Sequence, residues 1–245
     1  MSTRDYSTFF DPYIYEKLDD LMIYEVNNTY LTIVFWDISA FSDLCKELQH
    51  DETLIQLLLK EYYDLASSII KKNKGILDKF IGDGIMAIFG YLDNKDKQGI
   101  DNAIIAALQL RKDFIKMKEE FIKTGSKFLS INIKTDFNLK CGIHSGNVLF
   151  GFWKSKYRSQ ITAIGNEVNI ASRLVNIKNY LKDDIKKSVK DDEIILSKQS
   201  KNKYGPLKDN KIKLKGKVIS FVELYVKDII KSYKDIDKVF LIKES

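Results

Sequence analysis

Lys79-Phe-Ile-Gly-Asp83-Gly-Ile-Met-Ala-Ile-Phe-Gly90 is the stretch on which the fold turns. Asp-Gly between apolar runs is a strong hairpin signal. Gly75–Ile81, the turn Gly82-Asp83-Gly84 and Ile85–Phe89 therefore read as two antiparallel strands. Upstream, Thr29–Trp36 is a continuous β-branched and aromatic run, the signature of a strand buried on both faces, and it ends in Asp37. Between the two, Ser42–Gln49 and Thr53–Lys72 predict helices. In the second, Leu58, Tyr62, Leu65 and Ile69 recur at three- or four-residue spacing and form a core stripe. Beyond the hairpin, Ala103, Ala107, Leu110, Phe114, Met117 and Phe121 predict a long helix from about Asp101 to Lys123. Leu139–Ile143 and Val148–Phe152 read as strands around a turn-rich His144–Asn147 link. Strand, helices, hairpin, helix, strand gives an α+β fold: a ferredoxin-like βαββαβ core, an antiparallel sheet with helices on one face.

The flanks are read more coarsely. Phe9–Leu21 predicts a short helix, with Phe10, Ile14 and Leu18 four residues apart. A helix from Gly165 to about Lys178 follows the core, then a charged connector and strands at Glu193–Leu196 and Val218–Val226. The expected organisation is an N-terminal helical extension (1–28), one domain (29–227) and a C-terminal tail (228–245). Apolar residues of that tail, such as Val239, Phe240 and Ile242, could dock. With 44% hydrophobic and 30% charged residues the chain is globular rather than disordered. Its 2 Pro and 12 Gly leave little material for a long linker. No apolar stretch is long enough to span a bilayer, no signal pattern opens the chain, and Cys45 and Cys141 form no metal-ligand spacing. A cytoplasmic location is expected. The net charge of +6 invites a nucleic-acid reading. The lysines are dispersed, however, and aromatics do not interleave with them, so a solvated Lys-rich surface is preferred and no nucleic-acid partner is expected.

Three sets of residues carry chemistry. Asp37 ends a buried strand and Asp83 tips a hairpin that should lie beside it, so both carboxylates can meet at one sheet edge. Such oxygen ligands suit Mg²⁺ or Mn²⁺. Taken singly, each reads equally well as a turn or helix-capping Asp. In Ile164-Gly-Asn-Glu-Val-Asn-Ile-Ala-Ser-Arg-Leu174, Asn169 and Arg173 stand one helical turn apart on one face. They suit a ribose and a phosphate, or a plain solvated face. Ile38-Ser39-Ala40-Phe41-Ser42 joins strand to helix, where backbone amides can cradle phosphates.

Together with Cys141-Gly-Ile-His-Ser-Gly146 and Leu214-Lys-Gly-Lys217, these motifs resemble, in order and spacing, the catalytic domain of class III nucleotidyl cyclases. The resemblance runs from about Phe9 to about Val226. It implies conversion of ATP to 3′,5′-cyclic AMP and pyrophosphate. It also implies two Mg²⁺ or Mn²⁺ per site, held by Asp37, Asp83 and the Ile38 carbonyl, and a triphosphate turn at Ser39, Ala40 and Phe41. Lys79 and Thr162 occupy the positions that read the purine. Thr162 stands where many adenylyl cyclases carry Asp, a variant found in a subset of bacterial ones. A Thr hydroxyl accepts from the adenine amino group while Lys donates to a ring nitrogen. Asn169 would position the ribose and Arg173 stabilise charge on the reacting phosphate. Lys215 aligns with a Lys that contacts the terminal phosphates, with neighbouring Lys217 as the other register. The basic run Lys154–Arg158 reads as a phosphate contact or as a solvated hairpin. No general base emerges, and His50 and His144 receive no role. In the family the metal aspartates come from one subunit and the Lys, Thr, Asn and Arg from the other, so this chain, carrying both sets, implies a homodimer. The alternatives are a cyclase for GTP or a pyrimidine triphosphate, or a catalytically silent dimerising or nucleotide-sensing module.

Overall fold

In the computed structural model, which describes residues 25–92, 98–129, 131–181, 187, 189–226 and 238–244, the buried apolar run is β1 (Asn27–Ile38). It is the centre of the βαββαβ unit. β3 (Gly84–Phe89) pairs with it on one side and β4 (Leu139–Lys154) on the other, both antiparallel. β2 (Gly75–Ile81) closes the hairpin outside β3. Two helices, α1 (Phe41–Glu47) and α2 (Glu52–Lys72), connect β1 to β2, and α3 (Gln98–Leu129) connects β3 to β4.

The unbroken apolar character of β1 follows from cover on both faces. Val34, Trp36 and Ile38 pack with Leu58, Tyr62 and Ile69 of α2 and with Ala103, Ala107 and Phe114 of α3. Leu31, Ile33 and Phe35 belong to a second cluster on the other face, with Ile88, Phe150, Ala171 and Val175. The two long helices of the βαββαβ unit thus share one face. α4 (Asn166–Leu174), which follows the hairpin of β4 and β5 (Ser159–Ile164), lies against the opposite one.

The sheet continues past β4, with the order β2-β3-β1-β4-β6-β9-β8-β7. β6 (Ile194–Ser197) joins β4 in parallel, an exception in an otherwise antiparallel sheet. α5 (Lys198–Asn202) follows β6, and β7 (Lys211–Leu214) and β8 (Lys217–Tyr225) form a hairpin. β9 (Lys238–Glu244) lies between β6 and β8.

Two sequence expectations are corrected here. His144–Asn147 is not a turn: β4 is one strand of 16 residues in which His144, Ser145 and Gly146 pair with β1. The stretch 238–244 is not a tail but an interior strand of the sheet. The long helix also runs nearly two turns further than expected, to Leu129. The helix expected at Phe9–Leu21 lies outside the described residues.

Candidate active site

β1 and the β2–β3 hairpin bring two carboxylates together. Gly82, at φ +59, turns the hairpin and leaves Asp83 at its tip. The Ile38 amide donates to Asp83 Oδ2 at 3.2 Å, which sets that carboxylate beside the end of β1, where Asp37 sits. The tip lies so close to β1 that a Cβ on Gly84 would stand 3.3 Å from the Trp36 carbonyl oxygen and 3.6 Å from Asp37 Oδ1. α2 braces the hairpin: the Tyr63 hydroxyl donates to the Gly82 carbonyl, and its ring stacks on Phe80 at 4.1 Å.

The electrostatics of the pair are unfavourable without a cation. Burial, and next the negative charge of Asp37, push the Asp83 carboxyl up to about 6. Lys140, directly opposite Asp37 in the ladder, answers part of that charge: its Nζ lies 2.7 Å from Asp37 Oδ2 and donates to Asn176 Oδ1 at 2.7 Å. Among the described residues no group of three or more His, Cys, Asp or Glu is placed to hold a metal. The side-chain oxygens on offer are the two carboxylates, which carbonyl, water and phosphate oxygens would complete around a cation. Magnesium and manganese are bound in that way, so the residues present fit such an ion.

A second cluster joins β2 to β5. Asp78 Oδ2 accepts from the Thr162 hydroxyl at 2.9 Å and lies 3.2 Å from Lys79 Nζ. Lys79 and Thr162, far apart in sequence, thus meet on one buried carboxylate. The Thr162 carbonyl accepts from the Trp153 indole at 3.1 Å, which holds β5 against β4. Burial raises the Asp78 carboxyl, with the Lys79 ammonium acting in the opposite direction.

Asn169 and Arg173 both lie on the exposed side of α4, while Ile170, Ala171 and Leu174 are buried beneath them. An open depression of about 450 Å³ is lined by Ala163, Ile164, Gly165, Val168 and Asn169. It borders Thr162 in the chain and includes the first of the two polar anchors. α4 is tied to β4 by His144, whose Nε2 is hydrogen-bonded to Glu167 Oε2 and whose Nδ1 lies 2.8 Å from Ser197 Oγ.

In the strand-to-helix turn, the Ser39 amide donates to the Asn138 carbonyl at 2.7 Å and the Asn138 amide to Ser39 Oγ at 2.9 Å. Ala40, at φ 55, redirects the chain so that Phe41 opens α1. Lys215 sits with Gly216 in the β7–β8 turn, and its Nζ donates to Asn73 Oδ1 at 3.3 Å. Lys217 instead pairs with Glu244. The Ser155–Arg158 segment is the exposed turn between β4 and β5, closed by the Ser155 amide on the Arg158 carbonyl at 2.8 Å. Asp78, Lys140 and Glu167 were not anticipated from sequence. The one available signal was Asp78 next to Lys79, and strand alternation sends adjacent residues to opposite faces.

The profile of the adenylate and guanylate cyclase catalytic domain matches residues 23–230. An adenylate cyclase of Anabaena cylindrica is 29% identical over 163 residues, 65% of this chain and 29% of that protein. The terminal-differentiation-specific adenylate cyclase of Dictyostelium discoideum is 34% identical over 145 residues, 58% of this chain and 6% of that protein. The chain thus spans less than a third of the length of these relatives. Among solved structures, the adenylyl cyclase CyaB from P. aeruginosa superposes with a TM-score of 0.65 at 23% identity, covering 90% of this chain and 97% of its own. The guanylyl cyclase Cya2 gives 0.63 at 18%, covering 89% and 93%. At these identities the structures speak to the fold.

Proposed function

The chain belongs to the adenylate and guanylate cyclase catalytic domain family, and from that premise we propose that it is an adenylate cyclase whose sites are shared across a homodimer. The ribose 3′-oxygen attacks the α-phosphate, the bond from that phosphorus to the β-bridging oxygen breaks, and pyrophosphate leaves. The hydroxyl proton passes to substrate or solvent. The observation that carries the cation-assisted chemistry of this reading is Asp83, held on the Ile38 amide at 3.2 Å beside Asp37. Bound Mg²⁺ or Mn²⁺, two per site, would supply charge neutralisation and activation of the attacking oxygen.

Asp37, Asp83 and the Ile38 carbonyl hold the cations in this reading. Ser39, Ala40 and Phe41 line the triphosphate turn, and Lys215 reaches the terminal phosphates. Asn169 fixes the ribose, and Arg173 faces the charge that grows on the phosphate. Lys79 and Thr162 read the base, and their meeting on Asp78 supports ATP over GTP. Both halves of a site lie on this one chain, so two copies in a C2 pair complete two equivalent sites.

The test is incubation of the purified chain with ATP, GTP, CTP and UTP separately, with Mn²⁺, and products read by mass spectrometry. Cyclic AMP is expected to dominate. Asp37→Ala, Asp83→Ala and Arg173→Ala should each lower turnover by about 10²-fold or more. Mixing Asp37→Ala with Arg173→Ala chains should restore part of it. A different dominant cyclic nucleotide would overturn the base assignment. No recovery in a verified heterodimer would overturn the shared site, and no product at all would favour a silent module.

A further inference from the structure

β2 is not a regular strand where it carries Lys79. Leu77 pairs with Ala87 and Lys79 with Met86, consecutive partners on β3, so Asp78 is the extra residue of a β-bulge. In regular alternation Asp78 and Lys79 would point to opposite faces. The bulge re-aims them, and Asp78 Oδ2 meets both Lys79 Nζ, at 3.2 Å, and the Thr162 hydroxyl, at 2.9 Å. The Asp78 side chain is 1% exposed, and among the described residues its Oδ1 has no hydrogen-bond partner. Burying a carboxylate with one oxygen unpartnered works against folding. The arrangement is one of placement rather than stability.

The consequence lies in one hydrogen. A threonine hydroxyl has a single proton to donate and lone pairs with which to accept. Thr162 gives that proton to Asp78; the other acceptor in reach, the Ala163 carbonyl at 3.4 Å, also lies within the protein. Toward a ligand its oxygen is then an acceptor alone, and the Lys79 ammonium is a donor alone. Adenine offers a donor at its 6-amino group beside an acceptor at N1, which complements this pair. Guanine offers the reverse, an acceptor at O6 beside a donor at N1. A hydroxyl freed from Asp78 would rotate and donate to O6, and the distinction would weaken.

We propose that Asp78 is a specificity-determining positioning residue: by taking the Thr162 proton and anchoring the Lys79 ammonium, it fixes an acceptor–donor pair that selects adenine over guanine. The inference rests on the adenylate cyclase reading above and adds to it a residue that need not touch the nucleotide.

Binding of 3′-deoxy-ATP and 3′-deoxy-GTP, which lack the attacking hydroxyl, to the full chain with Mg²⁺ tests this apart from turnover. The wild type should prefer the adenine nucleotide. Asp78→Leu and Asp78→Val, neither of which offers an acceptor to the Thr162 hydroxyl, should each shrink the preference by about tenfold, the worth of one hydrogen bond. Lys79, with 34% of its side chain exposed, can turn its ammonium to water once the carboxylate is gone, so neither variant leaves a buried unpaired charge. Two folded Asp78 variants with the wild-type preference, or with both affinities lowered equally, would overturn the role of Asp78 and leave the cyclase reading intact. Preference of the wild type for 3′-deoxy-GTP would overturn the ATP assignment and this inference with it. Failure of the wild type to bind either nucleotide would overturn both.

Discussion

Asp83 is under two opposed demands, and their balance is measurable. Its carboxyl is raised to about 6, by burial first and by Asp37 second. Between its ordinary value near 3.8 and about 6, the folded chain holds this proton more tightly than the unfolded chain does. The contribution of Asp83 to stability is therefore present at low pH and lost as pH rises through that window. A divalent cation reverses the preference by favouring the ionised pair. Without metal, Tm should fall more steeply from about pH 4 to about pH 7 in the wild type than in Asp83→Asn. At neutral pH, Mg²⁺ should raise Tm of the wild type and leave the variant nearly unmoved. Equal metal-free slopes would refute the strained pair. Residues of this kind were legible in sequence, because a strand end and an Asp-Gly turn fix where Asp37 and Asp83 sit. Asp78 and Lys140 were not. One depends on a bulge that breaks alternation, the other on a register that puts Lys140 opposite Asp37.

At the scale of elements, the decisive contact is between α4 and β4, because α4 carries Asn169 and Arg173. Gly142 makes that contact possible. A Cβ there would lie 2.5 Å from the Val175 amide nitrogen and 2.7 Å from the Ala171 carbonyl oxygen, both backbone atoms that no rotamer change can move. Gly142→Ala should push the end of α4 from the sheet at a cost of about 1–3 kcal/mol. Nucleotide turnover should fall by more than the loss of folded protein explains, read at a temperature where melting curves show both proteins folded. Unchanged turnover per folded molecule would separate α4 placement from catalysis. The amphipathic pattern of α4 was legible, since Ile170, Ala171 and Leu174 are its buried side. The continuity of β4 was not: His144-Ser-Gly-Asn147 has turn composition. Its two buried polar side chains, His144 and Ser145, are satisfied by residues of neighbouring elements. Ser145 Oγ lies 2.9 Å from Thr32 Oγ1 and accepts from Ser200 Oγ at 3.0 Å, and His144 is held by Ser197 and Glu167. Composition cannot reveal such satisfaction, since the partners come from β1, β6, α4 and α5.

For the whole molecule, β9 decides whether the sheet is one piece. It pairs with β6 on one side and β8 on the other, so without it the β7–β8 hairpin loses its link to the βαββαβ unit. Its side chains serve both faces. Phe240 and Ile242 join the cluster under α2 and α3, and Val239 and Leu241 join Ile170 and Leu174 of α4. That double burial is also why the segment read as a docking tail. A short continuous apolar run beyond a charged connector shows no alternation, and nothing in the linear order names two partner strands so far upstream. Burial of these four side chains at about 1.5–3 kcal/mol each is worth roughly 6–12 kcal/mol. That is comparable with the roughly 5–15 kcal/mol net stability of a domain. A chain ending at Val226 should therefore lose its cooperative thermal transition, with the apolar edges of β6 and β8 left open to aggregation. Circular dichroism melts and size-exclusion profiles would check it. A soluble truncated chain with the wild-type Tm would return residues 238–244 to the status of a tail. Loss of the transition would make that segment as much a part of the folding unit as β1, because the helix bearing Asn169 and Arg173 packs on the cluster it completes.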